Sequence, residues 1–479
     1  MHTHSFLWHD YETFGALARR DRPAQFAAIR TDADLNEIGE PINVFCKPAN
    51  DFLPDPQSCL ITHITPQQCL EMGIQEHAFA AEVEQALAAT GTIGVGYNTI
   101  RFDDEITRFM FWRNLIDPYA REWQNQCGRW DIMDMVRTTY ALRPDGINWP
   151  LNEDGKPSFR LEHLTAANGI RHEAAHDALS DVRATIALAK LIKSKQPKLF
   201  DFCFALHKKE RVATEIGLPL LNKAFLHVSG MFSTERGCLA VMWPLAIHPT
   251  NKNEVIAWDL QFDPRELQDL DVATIQQRMF SKTDALPEGI TRLAVKSIHL
   301  NKSPIVIGNL KTLNEEMAAR WKIDMQVVLH HADIARQLTT ELDPQLWEQV
   351  YARPGFDAVD VDEDLYGGFI SGADRKILND LRHMNPQQLA NSHPHFNDQR
   401  LTELLFRYRA RNFPESLHAD EKLSWEEHRI SRLLDGEANA RNVEMYFNQI
   451  DRLSETADED DQEILGALYD YAELVVPTR

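Results

Sequence analysis

Residues 5–195 alternate between short apolar runs and amphipathic helical patterns, and this alternation constrains the fold more than any other feature of the chain. The runs SFLWH at 5–9 and TIGVGYN at 92–98 are typical of buried strands, and the two apolar runs within 26–48 flank turn-forming residues, which predicts a hairpin. Apolar residues recur every three or four positions in further segments, which predicts helices over 76–90, 103–115, 130–142, 160–170 and 176–195. Strands crossed by helices predict an α/β or α+β domain over 1–195.

The pattern changes after residue 197. Strand-like runs with turns between them predict a β-rich domain over 198–350, with helices attached. Residues 352–364 are rich in Pro, Gly and Asp, as linkers are. Helical patterns dominate from residue 365, so we expect a helical domain at 355–479. Three domains suit a chain of 479 residues.

The charge of the chain excludes one class of nucleic-acid-binding protein. The net charge is −22, and residues 351–479 have 14 basic and 26 acidic side chains. A protein that coats nucleic acid non-specifically is expected to be basic, whereas a local basic groove beside an acidic metal site remains compatible with this balance.

No run of about 18 apolar residues occurs, so we expect no membrane span. The opening residues lack a signal-peptide pattern and the six cysteines include no C-x-x-C pair, so we expect a cytoplasmic protein with reduced thiols.

Asp10 and Glu12 lie two residues apart in HDYETFG, at the first predicted strand. The two-residue period of a strand places both side chains on the same face. Adjacent carboxylates repel each other, and a multivalent cation is the usual means of keeping both ionised. The alternative is a solvated strand end without a metal. Because D-x-E is a common pattern, this alternative is favoured when the motif is considered alone.

Two further motifs contain acidic residues and a histidine. Asp103 in YNTIRFDDE begins a predicted helix, where it is most simply explained as a cap, with Asp104 and Glu105 as favourable charges at the positive end of the helix dipole. His176 and Asp181 open the last helix in AAHDALSD. Five helical residues turn through about 500°, so these two side chains converge more readily if His176 lies on the preceding loop. Taken alone, a surface histidine at a helix start is the simpler explanation.

The order of these motifs along the chain is more specific than any one of them. D-x-E at the first strand, N-x-x-x-F-D near residue 100 and H-x-x-x-x-D on a late helix resemble the set of the DEDDh exonucleases, and within them the bacterial exodeoxyribonuclease I family. PSFRLEHL at 157–164 and FRYRARNFP at 406–414 are the most specific of the resembling segments, which reach all three predicted domains. In LITHITP the family usually has Gly where this chain has His63.

The resemblance implies a fold and a reaction. The implied domains are an α/β ribonuclease H-like exonuclease domain at 1–195, an SH3-like β-rich domain at 198–350 and an all-helical C-terminal domain at 355–479. The implied reaction is processive 3′→5′ hydrolysis of single-stranded DNA to 5′-mononucleotides, in DNA repair and recombination. Three domains that close around the strand would keep it bound between cleavages.

The resemblance also implies the roles of the motif residues. Two Mg²⁺ ions, for which Mn²⁺ can substitute, would be bound by Asp10, Glu12, Asp103 and Asp181. His176 would be the general base that deprotonates the attacking water, a task that suits the near-neutral pKa of a histidine.

Contacts with the DNA strand are expected from Glu12 and from basic and aromatic residues near the motifs. We expect phosphate contacts from Arg160, Arg108 and Arg137, and base stacking on Tyr119 and Trp123. For each, the alternative is a surface salt bridge or a half-buried aromatic side chain. The segment FRYRARNF is basic with interleaved aromatic residues, and it either lines a DNA path or pairs with the acidic surface of its own domain.

The resemblance also implies two partners, single-stranded DNA and the acidic C-terminal tail of single-stranded DNA-binding protein. Such a tail needs an apolar pocket rimmed by Arg or Lys, and Arg143 is a candidate rim residue. A clamp closed within one chain suggests a monomer.

An RNA-trimming exonuclease is the first alternative function and requires a pocket for the 2′-hydroxyl. The second is a non-catalytic scaffold that binds DNA ends, although the presence of all five motif residues disfavours it. The H-x-x-x-H spacing of His172 and His176 lacks cysteine partners, so we expect no zinc site.

Overall fold

The computed structural model describes residues 4–172, 177–352 and 359–478. These residues form two compact units, each of which is described by itself. The first consists of the described parts of Met1–Gly128, His172–Ile186 and Asp357–Arg479, and the second of those of Arg129–Arg171 and Ala187–Phe356. The first unit therefore combines the N-terminal part of the chain with its helical C-terminal part.

A mixed β-sheet forms the centre of the first unit. Its strands β1 (Ser5–Thr13), β2 (Pro23–Thr31), β3 (Ile42–Phe45) and β4 (Thr92–Gly96) lie in the order β3-β2-β1-β4. Strand β1 is antiparallel to β2 and parallel to β4, and β2 is antiparallel to β3, which confirms the predicted hairpin. Most of β1 is buried on both faces, and this explains why its sequence begins as a continuous apolar run rather than an alternating one.

Helices pack on this sheet and contribute to its core. They are α1 (Pro56–Thr62), α2 (Pro66–Met72), α3 (Glu76–Ala88) and α4 (Asp103–Arg113). Phe79 and Val83 of α3 and Met110 of α4 pack with Leu7 and Phe26 of the strands. This packing fixes the start of α4, where Asp103 lies, against β1.

From residue 359 onward the described residues form only helices and loops. The α-helices in this part are α14 (Gly372–Leu381), α15 (Pro386–Ala390), α16 (Arg400–Asn412), α17 (Ala419–Ile430), α18 (Val443–Ser454) and α19 (Glu459–Val475). Trp112 of α4 lies in one hydrophobic cluster with Leu404 of α16, and Phe52 lies in another with Tyr446 and Leu468 of α18 and α19. The C-terminal helices therefore complete cores that begin in the N-terminal part.

The elements between these two parts include β5 (Gly128–Asp131), α5 (Met133–Leu142), α6 (Leu161–Ala167), α7 (Ala178–Lys195), α8 (Pro197–Ala205) and α9 (Lys209–Ile216). The helix predicted over 130–142 begins at Met133, because Trp130 and Asp131 belong to β5. Trp130 is fully buried, with its ring centroid 5.3 Å from those of both Phe200 and Phe204. A short apolar run fits a strand or a helix equally well, and here burial selects the strand.

Five strands of the second unit form an antiparallel sheet with the order β10-β6-β7-β8-β9. They are β6 (Phe225–Val228), β7 (Leu239–Ile247), β8 (Glu254–Asp259), β9 (Val295–His299) and β10 (Ile305–Ile307). The helices that accompany them are α10 (Val272–Phe280), α11 (Glu315–Arg320), α12 (Met325–Glu341) and α13 (Leu346–Val350). This arrangement confirms the prediction of a β-rich region with attached helices. Among the described residues, none of the helices is long and apolar enough to cross a membrane.

Candidate active site

Three carboxylates converge at the junction of β1 and α7. Asp10 and Glu12 lie on β1, Asp181 lies in the first turn of α7, and one oxygen atom of each is within 4.8 Å of the others. Glu12 is buried, whereas Asp10 and Asp181 are half-buried. Carboxylate oxygens at such spacing form the donor set that hard divalent cations prefer.

Asp103 is held beside these three carboxylates by β1. Its Oδ1 accepts a hydrogen bond of 3.1 Å from the backbone N–H of Tyr11, the residue between Asp10 and Glu12. The hydroxyl of Tyr11 also lies 3.0 Å from that of Thr107, one turn further along α4. These two contacts fix the start of α4 against the strand.

The adjacent carboxylate, Asp104, makes a different contact. Its Oδ1 accepts a 2.6 Å hydrogen bond from Nη2 of Arg121, and both side chains are buried. Asp104 is therefore occupied by a buried ion pair, while Asp103 lies beside the carboxylate cluster. The sequence FDDE alone does not distinguish these two aspartates.

Burial and mutual repulsion raise the pKa of the clustered carboxyl groups. Burial, followed by the charges of Asp103, Glu12 and Asp181, raises the pKa of Asp10 well above its ordinary value. Burial, followed by Asp181 and Asp103, raises the pKa of Glu12 to about 8. Carboxyl groups in such a cluster retain protons unless a cation replaces them, so the residues present fit a divalent metal site.

Asp181 has a neighbour that the sequence analysis did not identify as a site residue. Nε2 of His172 lies 2.5 Å from Oδ1 of Asp181, and the histidine side chain is buried. The H-x-x-x-H spacing is the only sequence signal that could have directed attention to it. Asp177 accepts a hydrogen bond of 2.9 Å from the N–H of Ser180 and so caps α7. His176, the predicted general base, lies outside the described residues.

Arg108, a predicted phosphate contact on α4, is surrounded by acidic and aromatic groups. Its Nε and Nη2 donate to Glu122 at 2.7 and 3.0 Å, and its Nη1 donates to Glu105 at 2.7 Å and to the hydroxyl of Tyr366 at 3.2 Å. The guanidinium also lies 5.2 Å from the ring centroid of Tyr119. Four of the five N–H groups of this guanidinium therefore already have partners, so a phosphate that binds in the bidentate manner has to displace one of them.

The other predicted DNA contacts differ in how exposed they are. Trp123 is 66% exposed, which leaves its ring open to stacking. In the second unit, the side chain of Arg160 is 73% exposed and lies 3.9 Å from Glu162. Arg137, in contrast, forms an ion pair of 2.6 Å with Asp134. Trp123 and Arg160 therefore offer surface without loss of an existing strong contact.

The basic segment of α16 pairs with carboxylates of its own compact unit. The pairs are Arg407 with Asp360 (2.7 Å), Arg409 with Glu421 (2.6 Å), and Arg411 with Asp51 (2.7 Å) and Asp362 (2.5 Å). All three arginines are buried. Of the two alternatives for FRYRARNF, the structure shows pairing within the predicted domain at 355–479 for Arg407 and Arg409, while Arg411 also pairs with Asp51 of the N-terminal part.

Comparison with known proteins identifies relatives over the whole chain. The family model for exonucleases matches residues 7–189, that for the exonuclease I SH3-like domain matches 207–353, and that for the exonuclease I C-terminal domain matches 359–475. Exodeoxyribonuclease I of Escherichia coli (strain K12) is 45% identical over 479 residues, which cover 98% of each chain.

Solved structures give the same result. A moderately thermophilic exonuclease I from Methylocaldum szegediense matches with a TM-score of 0.92 and 46% identity, over 99% of this chain and 100% of that one. Exonuclease I of E. coli in complex with a dA16 oligonucleotide matches with a TM-score of 0.91 and 44% identity, over the same shares. The chain, whose carboxylates converge at one site, is therefore a nuclease and belongs to the exonuclease I (exodeoxyribonuclease I) family.

Proposed function

We propose that this protein degrades single-stranded DNA processively in the 3′→5′ direction to 5′-mononucleotides, by two-metal-ion hydrolysis, in DNA repair and recombination. The cluster of Asp10, Glu12 and Asp181, with Asp103 held beside it, is the observation that most directly supports this proposal. Membership of the exonuclease I family favours DNA over RNA as the substrate. The E. coli relative in complex with a dA16 oligonucleotide supports a single-stranded substrate.

The four carboxylates are proposed to hold two Mg²⁺ ions, or Mn²⁺ in their place. When bound, these ions neutralise the charge of the scissile phosphate and lower the pKa of the attacking water. The backbone N–H of Tyr11 orients Asp103. Glu12 is also proposed to contact the substrate, on the strength of the family resemblance. His176 is proposed as the general base on the strength of the family resemblance alone.

The proposed contacts with the strand are Arg160, Arg108, Arg137, Tyr119 and Trp123. The exposure of Trp123 and of Arg160 supports their participation most directly. Arg108 and Arg137 would exchange a carboxylate partner for a phosphate, which is a charge-for-charge replacement.

The acidic C-terminal tail of single-stranded DNA-binding protein is the proposed protein partner. A solved structure described as SSB/exonuclease I in complex with inhibitor CFAM, 43% identical to this chain with a TM-score of 0.89, supports this choice. Arg143 is exposed at the end of α5 and is proposed to rim the pocket for the tail. Weaker binding of a fluorescent tail peptide by Arg143→Ala would support this assignment, and unchanged binding would contradict it. We also propose that the protein is a cytoplasmic monomer.

The reaction is tested with 5′-labelled single-stranded DNA in Mg²⁺, using the wild type, Asp181→Ala and Asp154→Ala. Asp154 is an exposed aspartate of the second unit and serves as the matched control. We expect a ladder that shortens from the 3′ end with the wild type and the control, and an intact strand with Asp181→Ala. An intact strand in all three samples would overturn the proposal in favour of a DNA-end-binding scaffold. Equal decay of a matched RNA strand would favour the RNA-trimming alternative.

A further inference from the structure

We propose that a cavity in the first unit binds a deoxynucleoside 5′-monophosphate, with Arg432 and Arg452 as the side chains that bind its phosphate group. The choice of a deoxynucleotide rests on the proposed function, of which it is the product, whereas the cavity is lined by residues other than the four site carboxylates. Three observations support the inference: the composition of the cavity, the way its wall is held, and the hydrogen bonding of its arginines.

The cavity has the size and the lining of a site for a small organic anion. Its volume is about 510 Å³, within the range of roughly 300–1,000 Å³ that is usual for small-molecule sites. The loop that follows β1, the segment before α1 and residues 432–452 form its lining. The apolar residues of this lining are Leu17, Phe52, Leu53, Leu433 and Met445. Its arginines are Arg20, Arg432, Arg441 and Arg452. A ligand that suits this lining combines an apolar group with a negative charge.

Two carboxylates also line the cavity, and the protein already holds both of them. Oδ2 of Asp21 accepts a hydrogen bond of 2.8 Å from the backbone N–H of Leu17. Oδ2 of Asp51 lies 2.7 Å from Nη2 of Arg411, which is outside the lining. The ligand therefore depends on the four arginines of the lining for its charge contacts.

Two of these arginines hold the wall of the cavity in place. Nη1 of Arg20 donates to the backbone carbonyl of Asn439 at 2.5 Å. Nη1 of Arg441 donates to the backbone carbonyl of Leu53 at 2.9 Å, and its Nη2 lies 3.3 Å from Oδ2 of Asp55. Because these contacts join the three segments of the lining, the cavity is formed before a ligand binds, which lowers the entropy lost on binding.

Arg432, in contrast, is buried in the lining with unused hydrogen-bond donors. It is 6% exposed, and among the described residues its Nε and Nη1 have no hydrogen-bond partner. Nη1 lies 3.3 Å from Oδ2 of Asp360, but both oxygens of that carboxylate already accept hydrogen bonds from Arg407. A buried donor without an acceptor is unfavourable, and a guanidinium matches the oxygens of a phosphate. A bound phosphate supplies the acceptors that Arg432 lacks.

Arg452 provides a second positive charge. It is exposed, and it forms no ion pair with the described part of the chain. A phosphate monoester has between one and two negative charges near neutral pH, which two arginines balance. A second or third phosphate would find no free guanidinium, because Arg20 and Arg441 hold the wall. The lining therefore favours a nucleoside monophosphate over a diphosphate or triphosphate.

The remaining polar residues of the lining suit a nucleoside. Asn439, Asn448 and Gln449 offer amide groups to a sugar and a base, beside the apolar residues. The proposed activity releases one deoxynucleoside monophosphate at each cleavage, so this ligand is present wherever the enzyme works. An acidic peptide has the same sign of charge, and the experiment below separates the two.

Calorimetric titration with deoxythymidine 5′-monophosphate in EDTA tests the inference. Without divalent cations the carboxylate cluster repels phosphate, so the active site does not compete for the ligand. We expect one binding site per chain, with binding weakened at least about tenfold by Arg432→Gln and at least about threefold by Arg452→Gln, because each change removes charge-assisted hydrogen bonds. Arg22→Gln is the matched control and should bind as the wild type does. Arg22 is also buried with its Nε and Nη1 lacking hydrogen-bond partners, but it lies outside the lining.

The outcomes that would overturn the inference are distinct. One is absence of binding by the wild type, and another is a loss with Arg22→Gln equal to that with Arg432→Gln. Inorganic phosphate that binds as tightly as the nucleotide, or an acidic peptide that binds more tightly, would overturn the assignment of a nucleotide. Arg452 is exposed, so Arg452→Gln keeps the test decisive even if Arg432→Gln does not fold, and unchanged binding by Arg452→Gln would count against the inference.

Photochemical cross-linking with 5-iodo-2′-deoxyuridine 5′-monophosphate in EDTA locates the ligand. We expect adducts in the peptides that contain Phe52 or Met445, and adducts confined to other parts of the chain would overturn the inference. Neither experiment requires hydrolysis of DNA. A wild type that is inactive on DNA would refute the proposed function, and the binding and cross-linking results would still decide whether the cavity takes a nucleotide.

Discussion

Replacement of Glu12 by glutamine tests whether the carboxylate cluster destabilises the metal-free protein. The amide keeps the size and shape of the side chain but cannot ionise. We therefore expect Glu12→Gln to lose nuclease activity and, in EDTA at alkaline pH, to unfold at a higher temperature than the wild type. The loss of activity and the gain in stability have the same cause, because the substitution removes one of the negative charges that bind cations and repel each other without them.

The magnitude follows from the pKa of Glu12, which rises from its ordinary value of 4.5 to about 8 in the folded protein. Between pH 4.5 and about pH 8, Glu12 keeps its proton in the native state but has lost it in the unfolded state. The free energy of unfolding therefore falls as pH rises through this range. Linkage gives a cost of about 1 kcal/mol at pH 5 that grows to about 4 kcal/mol at pH 8. Because the substitution also changes the contacts of the side chain within the cluster, we expect a net gain smaller than this cost, roughly 2–3 kcal/mol at pH 8.

Thermal unfolding in EDTA at pH 5 and pH 8 measures the effect. Glu153→Gln is the matched control, because Glu153 is an exposed glutamate of the second unit. We expect Glu12→Gln to raise the midpoint at pH 8 and to leave it nearly unchanged at pH 5, with no effect of the control at either pH. A midpoint at pH 8 equal to that of the wild type, or the same gain at both pH values, would refute the reasoning.

Three further predictions concern the metal site and the buried ion pairs. Protons and cations compete for the same carboxylates, and the pKa of Glu12 is about 8. Calorimetric titration should therefore show weaker Mn²⁺ binding as the pH falls below 8. An affinity that does not depend on pH would contradict this. Arg411→Met removes the shortest ion pair of both Asp51 and Asp362, which then keep only contacts of 3.4 Å with His428, Arg22 and Arg407. It should lower the free energy of unfolding in urea by roughly 3 kcal/mol, and adding Asp51→Asn should recover part of the loss, whereas an unchanged midpoint would count against this role. Asp103→Asn should weaken Mn²⁺ binding, whereas Asp104→Asn should lower thermal stability with little change in that affinity, and equal losses of affinity would contradict the roles assigned to the two.

The elements that position the carboxylates could be predicted because their signals are local. The apolar run that precedes Asp10 predicted β1, and three- and four-residue periodicity predicted α4. Two-residue alternation along β1 predicted that Asp10 and Glu12 share a face, and both belong to one cluster. The relative order of the motifs, rather than any single motif, indicated the family.

Contacts between residues far apart in sequence could not be predicted in this way. Arg411 pairs with Asp51, which lies 360 positions away, and a basic, aromatic segment gives no local sign of such a partner. Arg108 resembles a free phosphate ligand in sequence until its pairing with Glu122 is known. Exposure is equally hard to predict from local sequence. Phe369 and Ile370 are adjacent apolar residues, which are typical of a core position, but only Ile370 packs against a hydrophobic cluster and Phe369 is exposed.

The shared cores of the first unit have a consequence for synthesis of the protein on the ribosome. Phe14 and Phe52 lie in one hydrophobic cluster with residues of α18 and α19, so the surroundings of β1, which contains Asp10 and Glu12, are incomplete until residues near 470 have been translated. At about 5–20 residues per second, the residues between Asp181 and the end of α19 at Val475 take roughly 15–60 s to synthesise. During that interval the nascent chain already contains every proposed metal ligand but lacks the packing that fixes them. Nuclease activity should therefore appear only after α19 has been translated and has packed against Phe14 and Phe52.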